Sequence, residues 1–166
     1  IHHGDRSGTS YSINWQLVGT PNSGSWRSTV TLVSIKDGTS NTVMFAEKLA
    51  SCQRPSTMSA GATASHWNVY TWEPDRYAYI AFDHTSWAAT HYVNWRLAPQ
   101  IQPSIQATGG TAATEVCDQG RASTGHNVCL ICMADGSVRD VNGRISATTW
   151  QAALLPMDGM PLGSNW

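Results

Sequence analysis

The residues able to act as acids, bases, ligands or nucleophiles are few and scattered. His126 and Asp135 bracket the stretch HNVCLICMAD, with eight residues (127–134) between them. A histidine and a carboxylate are common partners in proton transfer. The intervening residues, however, read as one apolar strand feeding a tight turn, which puts the two groups at its opposite ends. Eight or nine strand residues span roughly 25–30 Å, so a catalytic pair is excluded. Asp135 reads as a turn residue, and His126 as a packing or hydrogen-bonding group at the strand start. Glu47 is the lone carboxylate of its segment and sits beside Lys48. On a strand the two face opposite ways, and Glu47 is expected to pair with an arginine at the sheet surface. His2 and His3 read as a solvated end.

Asp37, Gly38, Thr39, Ser40 and Asn41 form an oxygen-rich run. Such loops hold calcium in many proteins, but this one lacks the spaced carboxylates of a standard calcium loop. Side chains hydrogen-bonded to local backbone in an Asx or Ser/Thr turn are the preferred reading. Calcium is the one cofactor the sequence suggests at all. No G-x-S-x-G, H-E-x-x-H or P-loop is present. We therefore expect no catalytic residue, no metal site and no enzyme.

The four cysteines are Cys52, Cys117, Cys129 and Cys132. Cys129-x-x-Cys132 has the spacing of a metal or redox pair. On a strand, however, positions i and i+3 point to opposite faces, and these two read as small buried hydrophobes. Cys52 and Cys117 lie in loop-like sequence and are the expected disulfide. Closing so long a loop stabilises by about 4 kcal/mol in the chain-entropy model.

Aromatic residues cluster in 66–96, among them Trp67, Tyr70, Trp72, Trp87, Tyr92 and Trp95. Exposed aromatics anchor protein interfaces or stack on ligands such as sugars; buried ones simply fill a core. Both readings stay open.

These groups must be positioned by a β-rich framework. TSYSINWQLVG alternates, predicting a strand with Tyr11, Ile13, Trp15 and Leu17 on its buried face. WRSTVTLVSI, rich in β-branched residues, predicts a second strand. TVMFAEKLA (42–50) predicts a third, 51–65 a flexible loop, and HWNVYTW and YAYIAF two more strands. Residues 1–8 read as a linker. Residues 83–125 read as a long irregular surface region, of the kind that often binds partners. Near the end, NVCLICMA and SVRDV flank Asp135-Gly136, predicting a hairpin with a two-residue type I′ turn. A helix of about two turns follows, with Ser146 as N-cap. Ile145 and Trp150 have hydrophobic-staple spacing, and Pro156 lies just past the end.

The 166 residues suit a single domain with its own core. Charged residues make up 13%, about half the ordinary 25%. Ser, Thr, Asn and Gln supply the polarity instead, as suits an extracellular β protein. Net charge is −1 with no basic run, which argues against nucleic acid and anionic membrane surfaces as partners. No stretch approaches the ~20 apolar residues that cross a bilayer.

Three segments resemble one known family. SIKDGTSNTVMFAEKLASC (34–52) is similar to its I-x-DGTSNT-x-x-F-x-E segment. RASTGHNVCLICMADGSVRDV (121–141) resembles its H-X9-DG-SVR element, with eight spacer residues here rather than nine. ISATTWQAALLPMDGMPLGSNW (145–166) resembles its closing segment. The family is the H-X9-DG prepilin-type proteins of planctomycetes, domain of unknown function 1559. The resemblance implies an α+β, mainly β fold: the antiparallel sheet of a type IV pilin-like head, with a short C-terminal helix. The family's cleavage site and long N-terminal pilin helix are absent from this chain, which is similar to the later part of a full-length member. It implies a structural subunit of a pilus, a pseudopilus or another surface assembly, at the cell surface or in the periplasm. Such a subunit would associate with itself or with other subunits, and meet a membrane only through the missing helix. The alternative is an accessory module gripping a larger complex or a surface polysaccharide through the aromatic 66–96 segment.

Overall fold

The computed structural model describes residues 9–19, 28, 30–49, 51–53, 62–64, 79–81, 93–103, 117–118 and 120–166, without the side chains of 51–53, 62–64, 93 and 94. The fold is mostly β. A five-stranded sheet has the order β5-β1-β2-β8-β9, from β1 (Tyr11–Asn14), β2 (Val43–Glu47), β5 (Tyr79–Ile80), β8 (Cys129–Met133) and β9 (Val138–Val141). Two small ladders accompany it: β3 (Ser51–Gln53) with β4 (Ala62–Ala64), and β6 (Gln100–Ile101) with β7 (Ser123–Thr124). The main sheet is mixed rather than purely antiparallel, because β5 joins β1 in parallel.

One face of the sheet packs on the helix α2 (Ala147–Leu154). Val43, Ala46, Cys129, Ile131, Met133 and Val141 point to this inner face and meet Trp150, Ala153 and Leu154. The helix begins as the sequence predicts: Ser146 Oγ accepts the Thr149 N–H at 3.1 Å. Ile145 and Trp150, its staple pair, are both buried in the core. The Trp150 indole N–H donates to the Trp95 carbonyl at 3.2 Å, fixing the helix against the 3-10 turn Val93–Arg96.

The hairpin β8–β9 forms, with a different turn. Met133 and Ser137 close it, through Met133 N–H to the Ser137 carbonyl and Gly136 N–H to the Met133 carbonyl. The loop thus has three residues, 134–136. Among these only Gly136 takes a positive φ, +85°. This is a turn followed by a left-handed glycine, not a type I′ pair. The Asp135 carboxylate explains the preference. It accepts both the N–H and the hydroxyl of Ser137, at 2.9 and 2.6 Å. Those bonds hold its carboxyl below the usual range and favour negative φ at Asp135 over the mirror-image turn.

Three other expectations are corrected. The first strand stops at Asn14, whose side chain caps the short helix α1 (Trp15–Val18) by accepting the Gln16 N–H. Residues 32–34 of the expected second strand form a 3-10 turn, where Ser34 Oγ accepts the Thr31 N–H at 2.8 Å. Both neighbours of β2 are already taken, by β1 and β8, so the β-branched run has no central place to join. The supposed loop 51–65 pairs its ends as β3 and β4. The strand expected at HWNVYTW and the 1–8 linker lie outside the described residues.

The 83–125 region is not simply surface. Trp95, Gln100, Cys117, Ala122, Ser123 and Thr124 are buried. Backbone bonds from Gln100 to Ala122 and from Gln102 to Thr124 join its 100–102 and 122–124 portions. Arg121 donates to the Ala98 carbonyl as well.

Candidate interaction face

Register places side chains on the two faces of the main sheet, because paired residues share a face. The outer face carries one continuous apolar row: Tyr79, Ile13, Phe45, Cys132 and Val138, one residue from each strand. Tyr11 (52% exposed) and Leu130 (38%) lie in the row beside it, and Val138 is 67% exposed. At one end of the row Trp15 rests on Tyr79, with ring centroids 4.7 Å apart. A solvated sheet face ordinarily alternates to polar residues. Here the side chains facing away from the core are largely apolar.

Strand β1 shows how this came about. Its polar residues look inward. Ser12 Oγ donates to the Ala46 carbonyl at 3.1 Å. Asn14 Nδ2 donates to the carbonyls of Val43 (2.7 Å) and Leu154 (2.8 Å), tying β2 to the end of α2. Asn14 is fully buried and its Oδ1 also serves the α1 cap. The expected burial of Tyr11 and Ile13 with the core is therefore inverted, while Trp15 and Leu17 are buried as part of α1.

At one rim of the outer face the two titratable residues of separate motifs meet. His126 Nδ1 lies 3.1 Å from Glu47 Oε1. Glu47 Oε2 accepts the Leu130 N–H at 2.8 Å. Glu47 is buried, whereas the His126 ring is largely exposed. The carboxylate thus fastens the start of β8 to the end of β2, and its partner is His126 rather than an arginine. The sequence signalled Glu47 as a lone carboxylate in an apolar strand. It could not supply the partner, 79 residues away. Asp135 stands beyond the opposite end of β8 from His126.

Lys48 points the other way, as alternation requires. It is buried and donates to the Tyr79 carbonyl at 2.9 Å. Burial drives its pKa down to about 8, against the opposing pull of Asp118. Cys129 is also buried, which pushes its thiol up to about 12, helped by the Glu47 charge; a thiol so protonated is a poor nucleophile. Cys129 and Cys132 are both free. Cys117 is disulfide-bonded, and the Cys52 side chain lies outside those described.

The Asp37–Asn41 run is a junction. Asp37 accepts the N–H groups of Asp158 and Gly159 at 3.0 and 2.9 Å. Its own N–H donates to Pro156, and the Thr39 carbonyl accepts the Asp135 N–H. Asn41 Nδ2 donates back to the Asp37 carbonyl at 2.9 Å. Three Asp-Gly turns therefore meet, and Gly38, Gly136 and Gly159 all take positive φ. Asp158 lies close to Asp37; partial burial raises its carboxyl pKa, and the neighbouring Asp37 charge adds to the rise. Ser40 is exposed at the loop tip.

Of the aromatic candidates, Trp95 is core. That removes it as an interface or ligand residue. Trp67, Tyr70, Trp72, Trp87 and Tyr92 lie outside the described residues. Among the described residues, no group of three or more His, Cys, Asp or Glu could hold a metal ion, and no helix is long and apolar enough to cross a membrane.

The chain belongs to the family described as a protein of unknown function (DUF1559), whose profile matches residues 2–147. That span includes the first two Asp-Gly turns and the Glu47–His126 contact, and stops at the start of α2. No curated protein matches the chain. No solved structure matches it either.

Proposed function

We propose that this protein is a structural subunit of a pilus-like, pseudopilus-like or other cell-surface assembly, an H-X9-DG prepilin-type member of its family, and not an enzyme. The observation that carries this reading is the apolar row across all five strands on the face turned away from the core. Burying such a face against another element or chain removes apolar surface from water, the main driving force of association. Free Cys132 lies within that row, half-buried. In a chain that also holds a disulfide, covering the row would shelter this thiol from oxidation. The most conspicuous polar groups are committed to the scaffold. Glu47 holds β8, and Asp37 and Asp135 hold turns.

The test is made in cells producing the full-length protein. Tyr11→Lys with Leu130→Lys charges the outer face without touching the core, and sets each new charge beside the carboxylates of Glu47 and Asp140 rather than against a like charge. The purified double variant is expected to keep its stability within about 1 kcal/mol, while crosslinking of intact cells no longer yields its high-molecular-weight complexes. Complexes that form as in the wild type would sink the proposal. An upstream reading frame encoding a prepilin-peptidase site and about 20 apolar residues would support it independently.

A further inference from the structure

Among the described residues the sheet ends at β9, and no strand pairs with its outer edge. Met133 and Ser137 are a hydrogen-bonded pair. In an antiparallel ladder such pairs alternate with non-bonded ones. With Cys132 opposite Val138 and Leu130 opposite Asp140, the N–H and C=O groups of Val138 and Asp140 point away from β8. Four backbone groups are thus presented along one line, and Val138, Arg139 and Asp140 are exposed.

A groove of about 530 Å³ runs beside this edge. One wall is the consecutive run 138–142, which includes residues of both sheet faces; only a groove lying along the strand edge meets such a run. The other wall is Ile145 with residues 164–166. The Arg139 guanidinium lies over the Trp166 ring, 5.8 Å from its centroid, and marks the inner-face side. Asp140 marks the outer-face side.

We infer that this edge is a docking site for an extended segment of a partner chain, which adds a sixth strand and carries an acidic residue opposite Arg139 and a basic one opposite Asp140. Strand addition of this kind takes affinity from the backbone and specificity from alternate side chains. Charge selects the partner over a second copy of this chain. A two-fold pairing of β9 with itself keeps each face continuous, so a register that overlaps more than one residue of the four-residue strand centres on Arg139 or on Asp140. Either register places like charges directly opposite each other, which is destabilising. The inference concerns the β9 edge and stands apart from the role of the apolar outer face.

The probe is an end-blocked, fluorescein-labelled nonapeptide of alternating valine and threonine, with adjacent lysine and aspartate at its centre. Fluorescence anisotropy with the full chain should show saturable binding, weakened about tenfold when a second lysine replaces the aspartate. Arg139→Glu should reverse that preference. Val138→Pro should abolish binding, because it removes an outward N–H while an edge strand tolerates proline; circular dichroism checks that the fold persists. If Val138→Pro loosens the fold, the Arg139→Glu reversal decides alone, since it leaves the backbone intact. Absence of saturable binding, or binding indifferent to both variants, overturns the inference. A wild-type dimer in sedimentation that Val138→Pro dissolves overturns the choice of partner in favour of a second copy.

Discussion

The two faces of the main sheet use the same strands to opposite ends. The inner face takes in Ser12 and Asn14 alongside Val43, Ala46 and Ile131. The outer face presents Ile13, Phe45, Leu130 and Val138. A polarity scale would assign β1 the other way round. The inner polar groups are tolerated because each is paired: Ser12 with Ala46, and Asn14 with Val43, Leu154 and Gln16. A buried amide with all its partners costs little, whereas one left unpaired costs about 1–3 kcal/mol. What decides the inside of this sheet is whether hydrogen bonds close, and the apolar outer face is the remainder.

That contrast can be broken in steps, beginning where the effect is largest. Trp150→Ala empties the centre of the inner side and strips the Trp95 carbonyl of its donor; denaturant titration should show a loss of about 4 kcal/mol. Loss of the disulfide by Cys117→Ser should cost a similar amount, also about 4 kcal/mol if its partner is Cys52. Non-reducing peptide mapping of the wild type should link those two cysteines, and a Cys52 thiol free to alkylation would refute the pairing.

Asn14→Ala orphans two buried carbonyls and a helix N–H, and should cost about 3 kcal/mol, as much as many apolar deletions. A loss under 1 kcal/mol would mean that pairing is not what admits polar groups to the inner face.

Lys48 adds a pH dependence. Its folded pKa, about 8, lies below the unfolded value of about 10.4, so the unfolded chain holds more protons between them. Stability therefore rises with pH across that window. Below pH 8 both states are protonated and the burial penalty is fully present. Relative to Lys48→Met, the wild type should gain roughly 3 kcal/mol from pH 8 to 10.5. Parallel stability curves for the two proteins would exclude a buried ammonium.

The smallest effect belongs to the outer face. Leu130→Ser should shift stability by no more than about 0.5 kcal/mol, although it deletes a large apolar side chain. A loss of several times that would show the face to be a second core rather than an open surface.

The legible parts of the fold were those with local signals. Strand β2 formed as predicted, although an irregularity between Val43 and Phe45 puts those two on opposite faces; Asp-Gly marked the β8–β9 hairpin, and Ser146, Ile145 and Trp150 announced α2 at the right residues. The turn type was misread because the Asp135–Ser137 bonds outweigh the dipeptide preference. What stayed hidden depends on distant partners. The inward turn of Asn14 requires carbonyls 29 and 140 residues away, and Glu47 found His126 across 79. The run 26–35 has the composition of a strand, yet its 32–34 portion became a turn because no sheet position was left beside β2. Nothing in 95–125 announced that both ends of that stretch help to close the core.

The Asp37 carboxylate fixes a schedule for the chain. Its two acceptor bonds reach across 121 and 122 residues to Asp158 and Gly159. During synthesis from the N-terminus, the first Asp-Gly loop must wait for nearly the last stretch of this sequence before its side chain is satisfied. Strand β2 waits likewise for β8, and Asn14 for Leu154. Contacts of such range make folding slow and late, so a nascent chain cannot lock piecemeal as it emerges. It remains pliable until the Asp158 turn is available, then closes as a unit. Truncation just before residue 156 would thus leave the product without its clasp, open to proteases along its whole length.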